Sequence, residues 1–265
     1  MIKSQKTAPT VKPKVQTGER LSKHVAFQMR CSRREAEQYI EGGWVSVNGR
    51  VVEEPMVRVT DQAVLIDPHA SLMALTDVTL LMHKPSGFET MATPGEAGKR
   101  VKPAHQLLLA DNHWPQDAVG VRLLKRHFIK LTACVALENG ASGLVVFTQD
   151  WRVLRKLTED AAIMEHELVV EVAGEIAPDT LQRLNAGLSS DCQGLPPVKV
   201  SVNSTADRLT RLRFAFKGAH PGLVAFLCER EGLQIKSMKR LRVGRVALSN
   251  LPEGQWRYLQ AQERF

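Results

Sequence analysis

Two adjacent arginines at the start of a predicted helix have the type and position to bind an anion. Arg33 and Arg34 follow Ser32, and Glu35 stands three residues after Ser32, which is the spacing of a capping box. A cation in the first turn of a helix opposes the helix dipole, at a cost of roughly a few tenths of a kcal/mol. A docked anion would remove that cost, because free N–H groups and two guanidiniums would converge on it. The alternative is that Glu35 and Glu37 neutralise both arginines locally.

Other basic residues are placed to extend such a site. Four neighbours are expected to share the face of the two arginines: Arg20, Lys23, Arg30 and Arg50. A second basic stretch near the C-terminus has five cations in ten residues and no acid: Lys236, Lys239, Arg240, Arg242 and Arg245. Side chains two residues apart on a strand share a face, so Arg240 and Arg242 are predicted to lie together. The alternative is a solvated sheet edge, where lysine also blocks aggregation.

Composition favours a polyanionic partner without requiring one. The chain has 265 residues, a net charge of +8 and a pI of about 9.5, with 43% hydrophobic and 24% charged residues. That length allows one large domain or two modest ones. The four cysteines, Cys31, Cys134, Cys192 and Cys228, form no C-x-x-C pair and read as thiols of a reducing cytoplasm. We expect no membrane span and no secretory signal, because no apolar run reaches the length of a span and the Lys-rich N-terminus lacks an apolar core.

The N-terminal part of the chain has the pattern of a small helical unit. Residues 1–18 are predicted to be a disordered basic tail, serving either solubility or loose phosphate attraction. From 19 to 67, Leu21, Val25 and Met29 recur at helical spacing, and Ser32 begins a second helix that Gly42-Gly43 ends. Asn48-Gly49 predicts a tight hairpin, and a further strand is expected near Val64–Ile66. We therefore expect two helices followed by a hairpin.

The remainder predicts a larger α+β domain. Residues 68–77 form a short linker, and apolar strands alternate with helices over 78–265. The predicted strands are Thr79–Met82, Leu144–Phe147, Leu168–Val172, Val198–Val202, Leu209–Phe216 and Val243–Leu248. The predicted helices are Trp151–Glu159, Pro178–Ala186 and Leu223–Arg230. This pattern suits a mixed, mainly antiparallel sheet.

The first unit resembles the S4 RNA-binding domain. The resemblance covers Glu19 to Thr60 and is carried by the segment ERLSKHVAFQMRCSRREAEQYIEGGWVSVNGRVV. In that family the two helices place basic residues against RNA phosphates, and the hairpin flanks them. The resemblance implies binding of structured RNA, which in that family is often ribosomal RNA.

The larger domain resembles the catalytic domain of bacterial ribosomal-RNA pseudouridine synthases. His83 through Gly87 is similar to the family's Lys-Pro-x-Gly segment, and Leu137 through Thr148 to its Leu-Asp-x-x-x-x-Gly-Leu-x-x-x-Thr motif. Ile235 through Leu259 is similar to the closing strand pair, which the resemblance places near the RNA cleft. Lys239, Arg240 and Arg242 are therefore expected to contact the RNA backbone. The family flips its target nucleotide into a pocket and uses one carboxylate, with no metal or cofactor.

Four positions depart from the family pattern. Glu138 aligns with the catalytic aspartate, Ala136 with an arginine, Leu168 with the base-stacking tyrosine, and Pro221 to Ala225 with a Gln-Ile-Arg-Arg run. Lengthening the side chain shifts the carboxylate by about one C–C bond, and an error of about 1 Å can cost roughly two orders of magnitude in rate. The lost arginine would have oriented the carboxylate, and the lost ring would have stacked on a base, a contact worth about 1–3 kcal/mol. Glu138 could also be an ordinary loop carboxylate, since Asn139-Gly140 beside it indicates a turn.

Taken together, the sequence predicts a monomeric, cytoplasmic RNA-binding member of this family with impaired or lost catalysis. Its partner is expected to be ribosomal RNA or an assembly intermediate, with no membrane, metal or cofactor involved. The alternative is an active synthase that isomerises uridine in ribosomal RNA with Glu138 in the catalytic position.

Overall fold

The computed structural model describes residues 18–72, 76–90, 102–186 and 196–265. These residues form two compact units. The first ends at Thr76 and also includes Leu124–Arg126, and the second comprises Asp77–Leu123 and His127–Phe265. Nearly all of the predicted basic tail, residues 1–17, lies outside the described residues, as does Cys192.

Helices α1 (Leu21–Met29) and α2 (Arg33–Glu41) form the helical part of the first unit. The predicted capping box is confirmed: Ser32 Oγ accepts a hydrogen bond from the Glu35 amide at 3.2 Å, and Glu35 Oε2 accepts one from the Ser32 amide at 2.7 Å. The two bonds satisfy two N–H groups that every helix start leaves free. Gly42 caps the C-terminal end of α2, as predicted.

Five short strands complete this unit, and the predicted hairpin and further strand are confirmed. Asn48 and Gly49 both have positive φ, 51° and 78°, as the tightest hairpin turn requires. The strands are β1 (Glu19–Arg20), β2 (Val45–Val47), β3 (Arg50–Val51), β4 (Arg58–Val59) and β5 (Val64–Ile66), paired as β1-β4 and β3-β2-β5. Its core comprises the buried side chains of Leu21, Val25, Ala36, Ile40, Val45, Val59 and Val64.

The second unit is built on a nine-stranded sheet of order β12-β13-β11-β14-β10-β6-β16, with β15 beside β14 and β9 beside β10. Only β10 and β14 pair in parallel within this sheet, so the expected mixed, mainly antiparallel architecture is observed. Its strands are β6 (Thr79–Lys84), β9 (Thr132–Cys134), β10 (Ser142–Thr148), β11 (Glu165–Ala173), β12 (Val198–Ala206), β13 (Leu209–Lys217), β14 (Ile235–Val243), β15 (Val246–Ala247) and β16 (Trp256–Tyr258). A separate parallel pair is formed by β7 (Phe88–Glu89) and β8 (Lys102–Pro103).

Helices cover both faces of this sheet. Strand β10 is buried throughout and alternates between two apolar clusters: Val145 and Phe147 belong to one, and Leu144 and Val146 to the other. Helix α3 (Trp151–Glu159) packs in the cluster of Leu144, whereas α4 (Pro178–Asn185) and α5 (Leu223–Arg230) pack in the cluster of Val145. Three 3-10 helices, Ala104–Leu107, Ala110–Asn112 and Lys125–Phe128, lie in the long connection before β9.

The parallel pairing of β10 with β14 depends on a glycine. Gly143 has φ +120°, and a Cβ placed there would lie 2.3 Å from the Arg240 carbonyl oxygen and 2.4 Å from its nitrogen. Only a residue without a side chain allows this approach. Gly143 thus allows the backbone of Arg240 to lie against β10, the strand that follows the loop containing Glu138.

One predicted strand is wrong. Val243–Leu248 is not a single strand, because β14 ends at Val243 and the chain turns at Gly244, where φ is +56°, before it returns as β15. No helix in the described ranges is both long and apolar enough to cross a membrane.

Candidate functional site

All six predicted cations of the first unit are exposed to solvent: Arg20, Lys23, Arg30, Arg33, Arg34 and Arg50. Lys23 lies 3.3 Å from a Glu19 carboxylate oxygen, and Arg33 lies 3.7 Å from Glu37. Local neutralisation therefore applies in part to Arg33, while Glu35 is bonded to the Ser32 amide. Within residues 18–72 Arg34 makes no ion pair, so its charge faces solvent uncompensated.

In the second unit, the three single divergent positions and the first residue of the divergent run Pro221 to Ala225 line one pocket. The cavity is small, about 20 Å³, and opens to solvent, and Ala136, Glu138, Leu168 and Pro221 form part of its wall. They come from the loop before β10, from β11 and from the loop before α5. The other lining residues are Leu137, His166, Phe216, Gly218, Ala219, His220 and Arg240. The fold therefore joins positions that are far apart in the chain.

Glu138 uses one carboxylate oxygen to hold the start of α5. Its Oε1 accepts a hydrogen bond from the Gly222 backbone N–H at 2.6 Å, across 84 residues of sequence. Gly222 is the N-cap of α5 and has no side chain with which to cap the helix, and the first turn contains no acidic residue. A carboxylate at this end satisfies a free N–H group and interacts favourably with the helix dipole.

The segment from His83 to Gly87 fixes the Glu138 loop from the other side. Lys84 is fully buried, and its Nζ donates to the carbonyl oxygens of Ala141 at 2.7 Å, Phe88 at 2.8 Å and Pro85 at 3.1 Å. Burial lowers the pKa of Lys84 to about 8, and the nearby Arg240 charge contributes to the decrease. Three acceptors match the three donors of an ammonium group, so this lysine is a structural clamp.

Arg240 is buried against the same loop. Its side chain is 3% exposed, and its guanidinium donates to the carbonyl oxygens of Leu144 at 2.8 Å, Ala136 at 2.8 Å and Val135 at 2.9 Å. Burial lowers the pKa of Arg240 to about 10, and the negative charge of Glu138 opposes that decrease. The prediction that Arg240 contacts an RNA backbone is wrong, because the side chain is buried and each of its three guanidinium nitrogens donates to a protein carbonyl group.

Lys239 and Arg242 lie on the face of the sheet that does not carry the pocket. A register shift separates the pairs Glu167–Arg242 and Leu168–Arg240, so the two arginines are opposite consecutive β11 residues, whose side chains alternate between faces. The prediction that Arg240 and Arg242 share a face is therefore wrong. Arg242 lies 3.2 Å from a carboxylate oxygen of Glu167 and is paired with Glu165 as well. Contact of Lys239 and Arg242 with RNA stays a prediction, and it would occur on the face of the sheet opposite the pocket.

Two histidines were missed by sequence reasoning. His166 is buried and stacks on Phe216, with ring centroids 5.9 Å apart and an interplanar angle of 22°. Burial lowers the pKa of His166 to about 4, and the Arg240 charge and His220 contribute. The two-residue period of a strand could have placed His166 on the face of Leu168. His220 lies in a glycine- and proline-rich loop, which carries no comparable signal.

Comparison with known proteins adds independent information. The model of the S4 domain family matches residues 19–65. An uncharacterized RNA pseudouridine synthase of Aquifex aeolicus is 27% identical over 249 residues, which are 92% of this chain and 94% of that protein. The dual-specificity RNA pseudouridine synthase RluF of Escherichia coli K12 is 27% identical over 248 residues, 91% of this chain and 75% of that protein.

Over nine tenths of its length this chain is similar to RNA pseudouridine synthases, and its residues 19–65 match the S4 domain. The fold agrees: a crystal structure of a pseudouridylate synthase superposes with a TM-score of 0.54 at 18% identity, covering 91% of this chain and 96% of that one. The described residues contain no group of three His, Cys, Asp or Glu side chains arranged to hold a metal ion.

Proposed function

We propose that this chain is a cytoplasmic, monomeric RNA-binding protein whose ability to form pseudouridine is lost or severely reduced. Its partner is ribosomal RNA or an assembly intermediate of the ribosome. The observation that carries the proposal is the hydrogen bond that the Gly222 backbone N–H donates to the Glu138 carboxylate, in a pocket that also contains Ala136 and Leu168. The carboxylate has a structural partner, and its expected catalytic neighbours are absent.

The chemistry of the family explains why this arrangement opposes catalysis. The reaction breaks the bond between uracil and ribose, turns the base and rejoins it through carbon, so substrate and product have the same composition. One carboxylate either attacks the sugar or removes a sugar proton, and both roles require a free oxygen in a fixed place. Oε1 of Glu138 is engaged at 2.6 Å. Ala136 has no charged side chain to orient the carboxylate. Its contact with a cation is made through the backbone, where its carbonyl oxygen accepts a hydrogen bond from Arg240.

RNA binding is supported by the first unit. Its exposed cations lie on an S4 domain, and Arg34 has no acidic partner among residues 18–72. Nucleic-acid affinity from such contacts depends steeply on salt, because each neutralised phosphate releases counterions.

Nucleoside analysis of treated RNA tests the catalytic part of the proposal. Ribosomal RNA and ribosomal precursor particles from cells lacking the gene would be incubated with the purified full-length chain, with an active relative in parallel. We expect no measurable conversion of uridine to pseudouridine. A variant carrying Ala136→Arg and Glu138→Asp should recover little activity, because Leu168 still supplies no stacking ring and catalytic groups that act as a unit are not additive. Turnover by the unmodified chain would overturn the proposal.

Binding is tested separately with Arg33→Glu combined with Arg34→Glu. The combined variant should keep its melting temperature, because both side chains are exposed. Its RNA affinity should fall strongly, and the slope of log Kd against log salt should decrease because fewer counterions are released. An unchanged slope would contradict phosphate contact at these two residues.

One observation favours the alternative of an active synthase. Only Oε1 of Glu138 is bonded among the described residues, and Oε2 remains at the pocket wall without a hydrogen bond there. If Oε2 is the reactive atom, the unmodified chain forms pseudouridine and Glu138→Gln abolishes the activity, since an amide cannot replace the carboxylate as base or nucleophile.

A further inference from the structure

Phe27, near the end of α1, is so exposed that its ring contributes almost nothing to the stability of the fold. Phe27 is 88% exposed, the highest exposure among the large hydrophobic side chains that the structure describes. Burial of an aromatic ring is among the largest contributions that a side chain makes to a core. A ring left in water on a helix surface is therefore available to a partner, and its neighbours indicate which one.

The backbone holds this ring beside a cation. Helix α1 ends at Met29, and the N–H of Arg30 donates to the Phe27 carbonyl oxygen at 3.4 Å, with Arg30 in the left-handed conformation at φ 51°. The Cys31 N–H donates to the Ala26 carbonyl oxygen at 3.1 Å and closes the turn. A shallow depression runs beside the ring, lined by Ala26, Phe27, Gln28, Arg30 and Cys31. The ring and the first cation therefore lie on one hydrogen-bonded turn.

The charge of the residues around Phe27 indicates which kind of partner binds there. Residues 26–34 contain three arginines, Arg30, Arg33 and Arg34, all exposed, and no acidic residue. A lone ring with one half-exposed methionine, Met29 at 37%, is much smaller than the apolar centre of a stable protein interface. Cations beside an exposed ring suit nucleic acid, whose phosphates bind the cations while a base stacks on the ring.

The requirement for stacking also indicates whether the contacted base is paired or unpaired. A base inside a duplex has both faces covered by its neighbours, so an aromatic side chain can stack only on a base that is bulged, looped or at an end. We infer that Phe27 stacks on an unpaired RNA base while Arg30, Arg33 and Arg34 contact the adjacent phosphates. The inference rests on the proposed RNA binding and adds its substrate class: structured RNA with an unpaired base beside a helix.

The test uses the full-length chain and two RNA hairpins of identical stem, one with a single-nucleotide bulge and one fully paired. Fluorescence anisotropy gives Kd at several salt concentrations for the unmodified chain, Phe27→Ala, Phe27→Trp and the combined Arg33→Glu, Arg34→Glu variant. We expect the unmodified chain to prefer the bulged hairpin. Phe27→Ala should weaken that binding roughly 5- to 150-fold, the loss of one base–ring stack, with little effect on the paired hairpin.

The salt dependence separates stacking from charge. Phe27→Ala should leave the salt slope unchanged and Phe27→Trp should restore affinity, because stacking releases no counterions and a larger ring still stacks. The arginine variant should bind both hairpins more weakly with a smaller slope. Equal affinity of Phe27→Ala and the unmodified chain for the bulged hairpin would overturn the inference, leave RNA binding intact and point to a protein partner for Phe27. If neither substitution alters binding, both the inference and the proposed RNA contact fail.

Discussion

Substitution of Glu138 tests whether this carboxylate is a structural cap of α5. The structure gives it two stabilising roles: it accepts the Gly222 N–H at 2.6 Å, and its charge opposes the cost of burying Arg240. Three substitutions separate these roles. Glu138→Gln keeps an oxygen in the same place without the charge, Glu138→Asp keeps the charge on a shorter side chain, and Glu138→Ala removes both.

The magnitudes follow from the geometry. A hydrogen bond to a charged group contributes about 1.5–3 kcal/mol, and a carboxylate at a helix N-terminus contributes about 0.3–1 kcal/mol more. Glu138→Ala should therefore lower the free energy of unfolding by about 2–4 kcal/mol. Glu138→Asp withdraws the oxygen by about one C–C bond, which breaks a hydrogen bond of ordinary length, and should cost about 1–2 kcal/mol. Glu138→Gln should cost about 1 kcal/mol, since the amide oxygen can still accept.

Urea unfolding at pH 7, followed by tryptophan fluorescence, would measure the series. The expected order of stability is the unmodified chain, then Gln, Asp and Ala. Glu159→Ala is a matched control, because that glutamate forms only an exposed pair with Arg155 and should change stability by less than about 0.5 kcal/mol. If Glu138→Ala unfolds at the same urea concentration as the unmodified chain, Glu138 does not stabilise α5, and the main support for lost catalysis is removed.

Three further substitutions test other contacts of the second unit. Arg240→Lys should lower the free energy of unfolding by about 2 kcal/mol or more in urea unfolding, because an ammonium cannot reproduce the planar fork that reaches three carbonyl oxygens. His166, whose pKa is lowered to about 4, should contribute up to about 3 kcal/mol of stability that is present above pH 6.5 and lost as pH falls through 4, because only the unfolded chain takes up the proton between these values. His166→Leu should flatten that part of the pH–stability curve, and an unchanged curve would contradict a buried neutral imidazole. Asp117→Ala should cost about 2–4 kcal/mol by calorimetry, because the 1%-exposed carboxylate accepts from the Tyr258 amide at 2.8 Å and lies 2.9 Å from His113 Nε2. A cost below 1 kcal/mol would show that water replaces Asp117.

Local signals in the sequence predicted the first unit well. The capping box and the Asn48-Gly49 turn are determined by residues within four positions of each other, and the structure contains both. In the second unit, Trp151–Glu159 and Leu223–Arg230 were predicted with the bounds that the structure has. Amphipathic spacing and flanking turn residues were sufficient in each case.

The errors arose where pairing between distant strands overrides local periodicity. The two-residue alternation of a strand predicted that Arg240 and Arg242 share a face, but the register shift opposite Glu167 and Leu168 separates them. Burial of Arg240 depends on Gly143, which lets two backbones approach closely. Neither feature leaves a signal within the sequence window of the arginines.

The site could be predicted only in part, for the same reason. Resemblance to the family singled out Ala136, Glu138, Leu168 and the run Pro221 to Ala225, and the structure brings the first three and Pro221 to one pocket. The partner of Glu138 was not predictable, because Gly222 offers a backbone N–H group that its residue type does not mark. The buried His166 was also missed, since its lowered pKa arises from packing and from charges on other strands.

At the divergent positions, the residues of this chain make contacts that stabilise the fold. Glutamate in place of aspartate has the length to meet the Gly222 N–H, and that amide is the N-cap of a helix without another acid in its first turn. Ala136 supplies no guanidinium, and its carbonyl oxygen accepts from the buried Arg240 instead. Leu168 is buried in the apolar cluster that includes Phe216 and Leu223. Glu138, Ala136 and Leu168 therefore each have a stabilising contact in the folded chain, and the contact of Glu138 occupies one of its two carboxylate oxygens.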